Sequence, residues 1–548
     1  MDRHKKFNGP NRRSASIDGF VSNGRIIGGA TSNSYSPMKP VRVAQTSSIG
    51  AGARRVDGFY PSRTTPQGLN KMPEAEEAAL LDEPIILDDS GTKKKKRYYF
   101  VSAHPTARKL IKRSALTLIA LILIGAAYLG AKAFMTERHL FHGGGGAPAL
   151  SDNVDISQLK GEGDGRINIL LLGVGGPGHD GPDLTDTIMV ASIDPVNNKV
   201  ALLSIPRDLW VKIPGNGYQK INAAYPDGKS ESRAKTLAGK EQDGLNLLDR
   251  TISPVIGIPI HYHVVVDFSA FKDVVDALGG VNINVTSEVY DPTIEWENNW
   301  NPVIAKPGPQ VMHGQQALLF ARSRETSSDF SRAERQRQLL VAIKDKALSA
   351  GTFSNPIKIS NLLSGFGNNV YTDFSLNDMT RLYKITQRIP SKEISSIDLV
   401  TAPHNYLTTG NMNGLSIVEP KAGLFQYGDI TNYIRNTLRD GFLAKENAKV
   451  TVYNATDKVG LANSKASLLK SYGYTVTTVG NTATVTNQAT TTVVDLTKGK
   501  DKYTRHYLEE RFGVTAKTSI PSGSGINPPQ GTDFVIILGE DAATSSQN

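Results

Sequence analysis

The residues with the clearest chemical potential are five arginines within eighteen residues, in the stretch ARSRETSSDFSRAERQRQ from Ala321 to Gln338. An apolar segment precedes this stretch and another follows it, so part of it should lie against the protein core. A guanidinium group stays charged at any physiological pH and donates paired hydrogen bonds to phosphate oxygens. Burying such groups without an anion would carry a large desolvation cost. The stretch therefore predicts a binding site for an anionic group such as phosphate.

Two predicted elements should bring these arginines together. Arg322 and Arg324 are two residues apart in a predicted strand, QALLFARSR, and would share one of its faces. The helix predicted next carries one stripe of 3.6-residue periodicity, which contains Arg332, Arg335, Gln336, Leu339 and Ile343. Arg337 lies about 140° around this helix from the start of the stripe and is expected at the surface. The strand face, the stripe and the helix N-terminus would converge on one anion.

Acidic residues that suit a hard cation lie in HDGPDLTDT, a loop between two predicted strands that contains Asp180, Asp183 and Asp186. Mg²⁺ takes a few carboxylates and leaves coordination positions for phosphate oxygens. The alternative is a solvated turn, because Asp and Gly are routine turn residues.

A second polar cluster lies in SIPRDLW and in YQKINAAY. Arg207 and Asp208 come directly after a predicted strand, and Lys220 and Asn222 follow shortly afterwards. Polar residues at strand ends are where α/β proteins build their sites. The alternative is a structural salt bridge between Arg207 and a nearby acid.

Several other chemistries are disfavoured. GVGGPG, from Gly173 to Gly178, follows a predicted strand, but a dinucleotide site needs a helix at its last glycine and a further strand is predicted instead. His261 and His263 share one face of a strand without a third metal ligand nearby, and we interpret them as ordinary strand residues. The sequence contains no cysteine, which excludes disulfides, cysteine-ligated zinc and thiol catalysis.

The distribution of charge predicts a membrane anchor rather than a nucleic-acid-binding domain. Residues 1–113 contain 21 Lys and Arg against 10 Asp and Glu, whereas the remaining residues contain 41 against 42. Ser114 to Gly130 is uncharged, and extension to residue 135 gives the length of a spanning helix. The positive-inside rule places the basic tail in the cytoplasm and the bulk of the chain outside. A cleaved signal peptide fits poorly, because its basic region would be far too long.

Strands and helices alternate in the prediction from Arg166 to about residue 405, which indicates an α/β domain with a mixed central sheet flanked by helices. The predicted helix SAFKDVVDALGG has Ser269 as its N-cap, and the arginine-rich helix begins with a capping box of Ser331 and Glu334. The segment from Glu288 to Gly314 is too long for a simple connection and is interpreted as a functional flap.

A second, smaller α/β domain is predicted from two strands around the helix GLANSKASLLKSYG and a closing strand, FVIILGE. In chain order we expect a disordered basic tail (1–113), a transmembrane helix (114–135), a flexible spacer (136–160), the α/β domain (161–405), a linker (406–446), the small α/β domain (447–540) and a disordered end (541–548).

The segment from about Arg166 to Leu348 resembles the LytR-CpsA-Psr family of membrane-anchored bacterial cell-wall proteins. The motifs that carry the resemblance are, in order, DTIM, SIPRD, KINAAY, VVVDFSAFKDVVDALGGV and ALLFARSRETSSDFSRAERQRQ. Residues 447–540 look like the carboxy-terminal domain that often accompanies this family. One position departs from the family pattern, since Leu184 stands where members often have an arginine.

The resemblance implies a phosphotransferase that moves a glycopolymer phosphate from a polyprenyl diphosphate carrier to a sugar hydroxyl of peptidoglycan. The expected partners are the carrier-linked glycopolymer, peptidoglycan and the lipids of the plasma membrane, with no nucleic acid. Mg²⁺ would assist, with Mn²⁺ as the alternative ion. Asp186 would be a metal ligand together with Asp180, for which Asp183 is the rival.

The resemblance also implies roles for the basic residues. The residues expected at the diphosphate and the reacting atoms are Arg207, Asp208, Arg322, Arg324 and Arg332, and further contacts are expected from Lys220, Asn222, Arg335 and Gln336. Asp208 could accept the proton of the attacking hydroxyl, or it could hold Arg207 in place. Two alternatives for the whole protein stay open: a scaffold or regulator that binds polyprenyl phosphates without turnover, and a lipid diphosphate hydrolase.

The charge asymmetry around Ser114 to Gly130 generates a topology prediction: a single-pass protein with its amino terminus inside. Protease added outside intact cells should spare an epitope at residue 20 and remove one at residue 540. A carboxy-terminal epitope that survives this treatment would refute the predicted orientation.

Overall fold

The computed structural model describes residues 143–151, 153–324, 329–349, 369–401, 403–483 and 487–544. The basic tail at 1–113 and the transmembrane helix predicted at 114–135 lie outside these ranges. Among the helices that the structure describes, none combines the length and the hydropathy needed to cross a membrane.

The described strands are β1 (Ile167–Val174), β2 (Thr185–Asp194), β3 (Lys199–Ile205), β4 (Trp210–Ile213), β5 (Gly217–Lys220), β6 (Tyr262–Asp267), β7 (Val281–Val285), β8 (Val289–Tyr290), β9 (Val303–Ala305), β10 (Gly308–Met312), β11 (Val370–Thr372), β12 (Ile394–Ile397), β13 (Leu407–Met412), β14 (Leu415–Pro420), β15 (Lys449–Asn454), β16 (Thr475–Asn481), β17 (Thr492–Asp495) and β18 (Phe534–Leu538).

The described helices are α1 (Ala224–Glu231), α2 (Leu237–Ile256), α3 (Phe268–Ala277), α4 (Gly314–Arg322), α5 (Asp329–Ser349), α6 (Leu376–Gln387), α7 (Gly428–Thr437), α8 (Gly441–Glu446), α9 (Leu461–Ser471), α10 (Lys502–Phe512) and α11 (Asp541–Thr544).

A six-stranded sheet forms the centre of the larger domain, with the strand order β11-β6-β1-β2-β3-β12. β1 pairs antiparallel with β2 and parallel with β6, so the sheet is mixed. Alternate residues of β1 are buried on opposite faces: Leu170 and Leu172 join a core with α2 and α7, whereas Ile167 and Ile169 join a core with α6. The predicted fold class, a mixed sheet flanked by helices, is confirmed for this domain.

Strand pairing brings the first two candidate site residues together. β2 and β3 run antiparallel, and Ile188 lies opposite Ile205, the last residue of β3. Asp186 lies two residues before Ile188 and Arg207 two residues after Ile205, so the register places them opposite each other. β1 and β6 run parallel and end nearby. We call this end of the sheet the site edge.

The strand predicted for QALLFARSR was wrong, because the segment is the helix α4, which ends at Arg322. The four residues Ala317, Leu318, Leu319 and Phe320 are all buried. A short, continuous apolar run of this kind does not distinguish a strand from a buried helix by periodicity. Arg322 therefore closes a helix and does not share a strand face with the residue two positions later.

Two helix starts differ from the prediction by one or two residues. The N-cap of α3 is Asp267, whose carboxylate accepts a hydrogen bond from the Ala270 amide at 2.8 Å, and Ser269 lies inside the helix. Helix α5 begins at Asp329, ahead of the expected capping box. Glu334 binds the guanidinium of Arg337, with 2.8 Å between Oε2 and Nε.

The linker expected at 406–446 is instead part of the fold. It contains the hairpin β13–β14 and the helices α7 and α8, and Leu407, Ile430 and Ile434 are buried in the core under the central sheet. The larger domain therefore extends beyond the end predicted for it at residue 405. The sequence around α7 is mostly polar, and its few apolar residues lie on one stripe of the helix, so the helix was not recognised.

The described part of the expected spacer, 143–160, packs against the fold and is not a free linker. The amides of Gly145 and Gly146 donate to the carbonyls of Asp373 and His261, and Leu150 is 2% exposed. The expected disordered end was also wrong for residues 541–544, which form α11.

The small domain has the predicted strands and helix, in a four-stranded sheet of order β16-β15-β18-β17. A buried carboxylate, Asp440, joins it to the larger domain by accepting hydrogen bonds from the Gly163 and Gly165 amides and from the Tyr507 hydroxyl. Glu162 binds Arg511 of α10 at 2.6 Å. Polar contacts this buried join the two domains across a specific interface.

One buried charge cluster ties α2, β6 and β11 together. The ring of His263 lies between the carboxylates of Asp249, at 3.0 Å, and Asp373, at 2.7 Å. Burial by itself would lower the pKa of His263, but the hydrogen bonds and charges of the two carboxylates outweigh it and raise the pKa to about 9. His261, in contrast, accepts a hydrogen bond from the Asn168 amide at Nδ1. Both histidines have structural partners, as the sequence interpretation expected.

This cluster predicts a specific pH dependence of stability. The folded-state pKa of about 9 lies above the ordinary histidine value of 6.5, so the stabilisation is complete below about pH 6.5 and is lost as the pH rises through 9. Its size should be about 3 kcal/mol at most. We expect His263→Gln to remove this fall in the free energy of unfolding, measured by denaturant titration from pH 6 to pH 9.5. His313→Gln, at an exposed histidine, should keep the wild-type profile; a profile unchanged in His263→Gln would refute the assignment.

Candidate active site at the edge of the central sheet

A chain of four charged side chains lies at the site edge. The guanidinium of Arg207 binds the carboxylate of Asp186 through Nη1 and Oδ1. Its Nε lies 3.6 Å from Oδ2 of Asp208, whose Oδ1 accepts from Nζ of Lys220 at 2.9 Å. The hairpin β4–β5 positions Lys220, since β5 ends at this residue. Arg207 is thus fixed on two sides by carboxylates.

The environment of Asp208 keeps it ionised. Burial would raise the pKa of this carboxyl, but the hydrogen bond from Lys220 and the charges of Arg207, Lys220 and Arg324 outweigh burial and lower the pKa. A carboxylate with a lowered pKa is a poorer proton acceptor. Of the two roles left open by the sequence, the geometry favours holding Arg207 and Lys220 in place.

A cluster of guanidinium groups surrounds Arg324. Burial, and next the charges of Arg332 and Arg207, lower the pKa of Arg324 to about 10, against the opposing effect of Asp208 and Asp186. The group remains charged at neutral pH, and it lies close enough to two other arginines to repel them. Arg324 reaches this position because its amide donates at 2.8 Å to the buried carboxylate of Asp291. Arg324 and Arg332, two of the three arginines predicted to converge, therefore lie near each other and near Arg207, and Arg324 lies in a loop.

Arg335 has a different role from the ligand contact expected for it. Its side chain is buried and donates to two backbone carbonyls, from Nε to Phe320 at 2.8 Å and from Nη2 to Ser323. These carbonyls belong to the last turn of α4 and to its C-cap, so Arg335 fixes the turn that leads to Arg324. Burial is the main cause that lowers the pKa of Arg335 to about 10.

Gln336 is a residue of helix α5, and its side chain contacts the site edge. Its Nε2 is 3.4 Å from Oγ1 of Thr187 and 3.5 Å from the Ala321 carbonyl. Thr187 is the neighbour of Asp186, so Gln336 ties the arginine-rich helix to the strand that carries the carboxylate. Arg337 binds Glu334, and its Nη1 donates to the Ile394 carbonyl of β12, so its side chain is half-buried and not at the surface as expected.

Arg322 lies against another part of the site edge. Its Nη1 is 2.7 Å from Oε2 of Glu297, and its guanidinium stacks 4.5 Å from the ring centre of Phe268. His179 contacts the same ring edge-on, at 5.1 Å. Glu297 and Phe268 were not identified from the sequence, although one lies in the predicted flap and the other in a family motif. The sequence feature that could have identified these two residues was their position in the predicted flap and in the family motif.

Asn222 is buried beneath the site. Its amide donates to the Arg207 carbonyl at 3.3 Å, and its carbonyl accepts from the Thr185 hydroxyl at 3.4 Å. These backbone contacts support the loop that carries Arg207. A direct contact between Asn222 and a ligand remains a prediction.

The three acidic residues of the HDGPDLTDT loop are not equivalent. Asp183 binds Lys229 at 2.6 Å, and Lys229 also binds Glu241 at 2.8 Å. Burial, and next the charge of Asp183, raise the pKa of Glu241 to about 7. Asp180 lies on the exposed part of the loop. Asp183 is thus committed to a lysine, whereas Asp180 is accessible.

The predicted metal ligands Asp186 and Asp180 would have to share an ion with a bound ligand. In the part of the chain that the structure describes, no group of three or more His, Asp or Glu side chains could hold a metal ion. Asp186 lies in β2 and uses Oδ1 to bind Arg207, and Asp180 lies in the loop that precedes this strand. Mg²⁺ is often held by one or two carboxylates together with substrate phosphates. Mg²⁺ binding by Asp186 and Asp180 remains a prediction.

The glycine-rich segment GVGGPG forms a turn between β1 and β2, without the helix that a dinucleotide site requires. Gly176 has a φ of +79°, and a Cβ at this position would come within 2.8 Å of Cβ of Asp267. The glycine is therefore explained by backbone conformation and by the close approach of the α3 N-cap.

Comparisons with known proteins agree with the motifs. The LytR_cpsA_psr family model matches residues 146–426, and a model described as LytR cell envelope-related transcriptional attenuator matches residues 447–541. The polyisoprenyl-teichoic acid–peptidoglycan teichoic acid transferase TagU of Oceanobacillus iheyensis is 35% identical over 232 residues, which are 42% of this chain and 65% of that protein.

Two further similarities concern proteins called TagT. The TagT transferase of Bacillus subtilis, which has the same descriptive name, is 28% identical over 297 residues, covering 52% of this chain and 83% of that protein. A solved structure titled "TagT bound to LI-WTA" shows 25% identity and a TM-score of 0.40, covering 55% of this chain and 98% of the other.

The crowding around Arg324 predicts a trade-off between stability and ligand binding. Arg324→Met keeps the length of the side chain and removes a charge that Arg332 and Arg207 repel. We expect an unchanged or higher melting temperature without ligand, and a loss of the stabilisation that wild-type protein gains from inorganic pyrophosphate. Thermal unfolding with and without pyrophosphate measures both effects.

Arg337→Met is the matched control, because its partner Glu334 lies outside the cluster. It should keep the pyrophosphate response. A lower ligand-free melting temperature in Arg324→Met, together with a wild-type response to pyrophosphate, would contradict the cluster's role.

Proposed function

Because this chain belongs to the LytR-CpsA-Psr family, we propose that it is a membrane-anchored, extracytoplasmic phosphotransferase of cell-wall assembly. Its donor would be a glycopolymer carried on a polyprenyl diphosphate, and its acceptor a sugar hydroxyl of peptidoglycan. The names of the TagU and TagT relatives describe teichoic acid transfer to peptidoglycan, which supports this class of donor and acceptor.

The observation that carries the proposal is the convergence of Arg207, Arg324 and Arg332 at the site edge. Burial and mutual repulsion lower the pKa of Arg324, so this arrangement is unfavourable until an anion binds. A diphosphate carries several charged oxygens in a small volume and would convert the repulsion into attraction. Planar guanidinium groups match the paired oxygens of such a group.

The chemistry that follows requires alignment and charge neutralisation more than covalent catalysis. In phosphoryl transfer, negative charge is spread over the oxygens of the transferred group. Arg207 and Arg324 would neutralise these oxygens and stabilise the departing polyprenyl phosphate. Asp186 and Asp208 would keep Arg207 in a fixed orientation, which lowers the reorganisation needed during the reaction.

The acceptor hydroxyl needs little help from a strong base in such a reaction, because the transition state is loose and bond formation lags behind bond breaking. The lowered pKa of Asp208 and its bonds to Lys220 and Arg207 fit a positioning residue. Asp186 and Asp180 would hold Mg²⁺ or Mn²⁺, which would supply further positive charge at the diphosphate oxygens.

The decisive assay for the function is product analysis with a lipid-linked glycopolymer donor and a peptidoglycan acceptor. The proposal expects glycan on the acceptor and free polyprenyl phosphate. Free glycan phosphate without acceptor labelling would identify a lipid diphosphate hydrolase. Donor binding without any product would identify a scaffold or regulator.

Arginine substitutions predict a graded loss of donor binding and turnover. Removing Arg324 or Arg332 should cost about 1.5–3 kcal/mol of donor binding, the range for a hydrogen bond to a charged group. Arg322→Lys should be nearly as defective as Arg322→Ala, because an ammonium group lacks the planar fork. Donor affinity and transfer rate measure these effects.

Arg337→Ala is the internal control for this series, since it lies off the stripe and binds Glu334. It should retain nearly wild-type affinity and rate. If it were as defective as Arg332→Ala, the assignment of one helix face to the ligand would be wrong.

A separate prediction concerns the metal. Asp186→Ala should abolish Mg²⁺-dependent turnover and Asp180→Ala should weaken it, because both carboxylates are expected to share the ion with the donor. Calorimetric titration of Mg²⁺ in the presence of a diphosphate lipid analogue measures this directly. Asp183→Ala should leave metal affinity unchanged, since Asp183 is bound to Lys229. Unchanged metal affinity in Asp186→Ala would exclude the site.

A further inference from the structure

Two tryptophan side chains extend into solvent beside the candidate active site. Trp296 is 60% exposed and Trp300 is 75% exposed, whereas the chain has only three tryptophans in all. Both lie between β8 and β9, in the segment predicted to be a functional flap. Exposed apolar side chains that lie together on one segment mark a candidate contact surface for another molecule.

The backbone holds this pair in a defined conformation. Asn299 and Trp300 have φ values of +53° and +62°, and such values are uncommon for a bulky residue. The Trp300 amide donates to the Glu295 carbonyl at 2.8 Å. The side chain of Asn298 donates to the carbonyls of Asn301, at 2.7 Å, and Val303, at 3.1 Å. These contacts fix the backbone of the turn that carries the two tryptophans.

A direct contact connects this turn to the reaction site. Glu297 lies next to Trp296 and binds Arg322 at 2.7 Å. Arg322 in turn stacks on Phe268, which begins helix α3 at the site edge. This series of contacts links the turn that carries the tryptophans to the site edge, where the diphosphate is proposed to bind.

The charge of the segment narrows the class of ligand. Residues 288–312 contain four carboxylates, those of Glu288, Asp291, Glu295 and Glu297, against the single lysine Lys306. Asp291 is buried and accepts from the Arg324 amide, and Glu297 binds Arg322. Glu288 and Glu295 therefore supply the negative charge at the surface of the segment, against Lys306. An acidic surface repels an anionic polymer and an anionic membrane, both of which attract basic residues. A neutral ligand is favoured.

Neutral sugar rings fit the remaining chemistry. One face of a pyranose presents C–H groups, which are attracted to the negative face of an indole ring. Its rim of hydroxyl and amide groups can bond to polar side chains, and Asn299, Asn301 and Gln315 are exposed around the turn. Aromatic faces with a few convergent amides form a site for an uncharged carbohydrate.

We propose that Trp296 and Trp300 form the subsite for the acceptor, where consecutive uncharged sugar rings of the glycan strand stack and direct a hydroxyl to the diphosphate. The inference rests on the proposed function and adds to it the location and the chemistry of the acceptor site.

The test uses the full-length protein in neutral detergent and an uncharged N-acetylglucosamine tetrasaccharide as the probe. Tryptophan emission reports binding, because two of the three tryptophans lie in the proposed subsite. We expect Trp296→Ala and Trp300→Asn to weaken tetrasaccharide binding by at least about tenfold each, as truncation of an interface tryptophan typically does. Asparagine at position 300 tolerates the positive φ, so the second variant removes the ring without disturbing the turn.

Steady-state transfer adds a second readout. Both variants should raise the KM for the acceptor and leave the KM for the donor unchanged, whereas Trp296→Phe should restore most of the acceptor affinity. Val459→Ala, at a fully exposed apolar residue of the small domain, is the control and should match wild type in both assays.

The possible failures are distinguishable. Wild-type tetrasaccharide affinity in both tryptophan variants would overturn the subsite while leaving the transferase proposal intact. Emission that responds to anionic phospholipid vesicles and not to the tetrasaccharide would overturn it in favour of membrane contact. Tetrasaccharide binding that the variants lose, in a protein without transfer activity, would support the subsite and reject the transferase.

Discussion

The burial of the Arg324 guanidinium close to the charged side chains of Arg332 and Arg207 is the constraint that organises the site edge. Burial, and next the charges of Arg332 and Arg207, lower the pKa of Arg324. Ion pairs and a hydrogen bond from the surrounding fold hold two of these arginines in place. Asp186 and Asp208 fix Arg207, and the buried carboxylate of Asp291 fixes the amide of Arg324. This arrangement lowers the stability of the folded protein without ligand. In return, the positive charges are already aligned when an anion binds.

The elements farther out serve the same constraint. Arg335 fixes the last turn of α4, so the loop that carries Arg324 leaves the helix in a set direction. Gln336 joins α5 to the strand of Asp186, and Glu297 joins the flap to Arg322. A displacement of the flap by a bound acceptor would therefore change the position of the Arg322 side chain. This link gives the proposed acceptor subsite a physical connection to the donor.

The sequence was sufficient to predict the sheet and most of its strands, because period-two and period-3.6 patterns record which faces are buried. It was insufficient for α4, where four consecutive apolar residues fit a strand and a helix equally well. The role of Arg335 was also inaccessible, since a buried arginine on backbone carbonyls and one on a ligand share the same helix stripe. The segments at 143–160 and 406–446 were misjudged because their polar composition conceals a few anchoring residues, such as Leu150 and Ile434.

The claim at the centre of this account is that the arginine cluster recognises two linked phosphates. Calorimetric titration of wild-type protein with farnesyl diphosphate and with farnesyl monophosphate tests it most directly, since the two ligands differ only in the second phosphate. The account predicts at least about tenfold tighter binding of the diphosphate, the contribution of one further hydrogen bond between charged groups. Equal affinity for the two lipids would contradict recognition of two linked phosphates, because the site would then recognise the prenyl chain or a single phosphate.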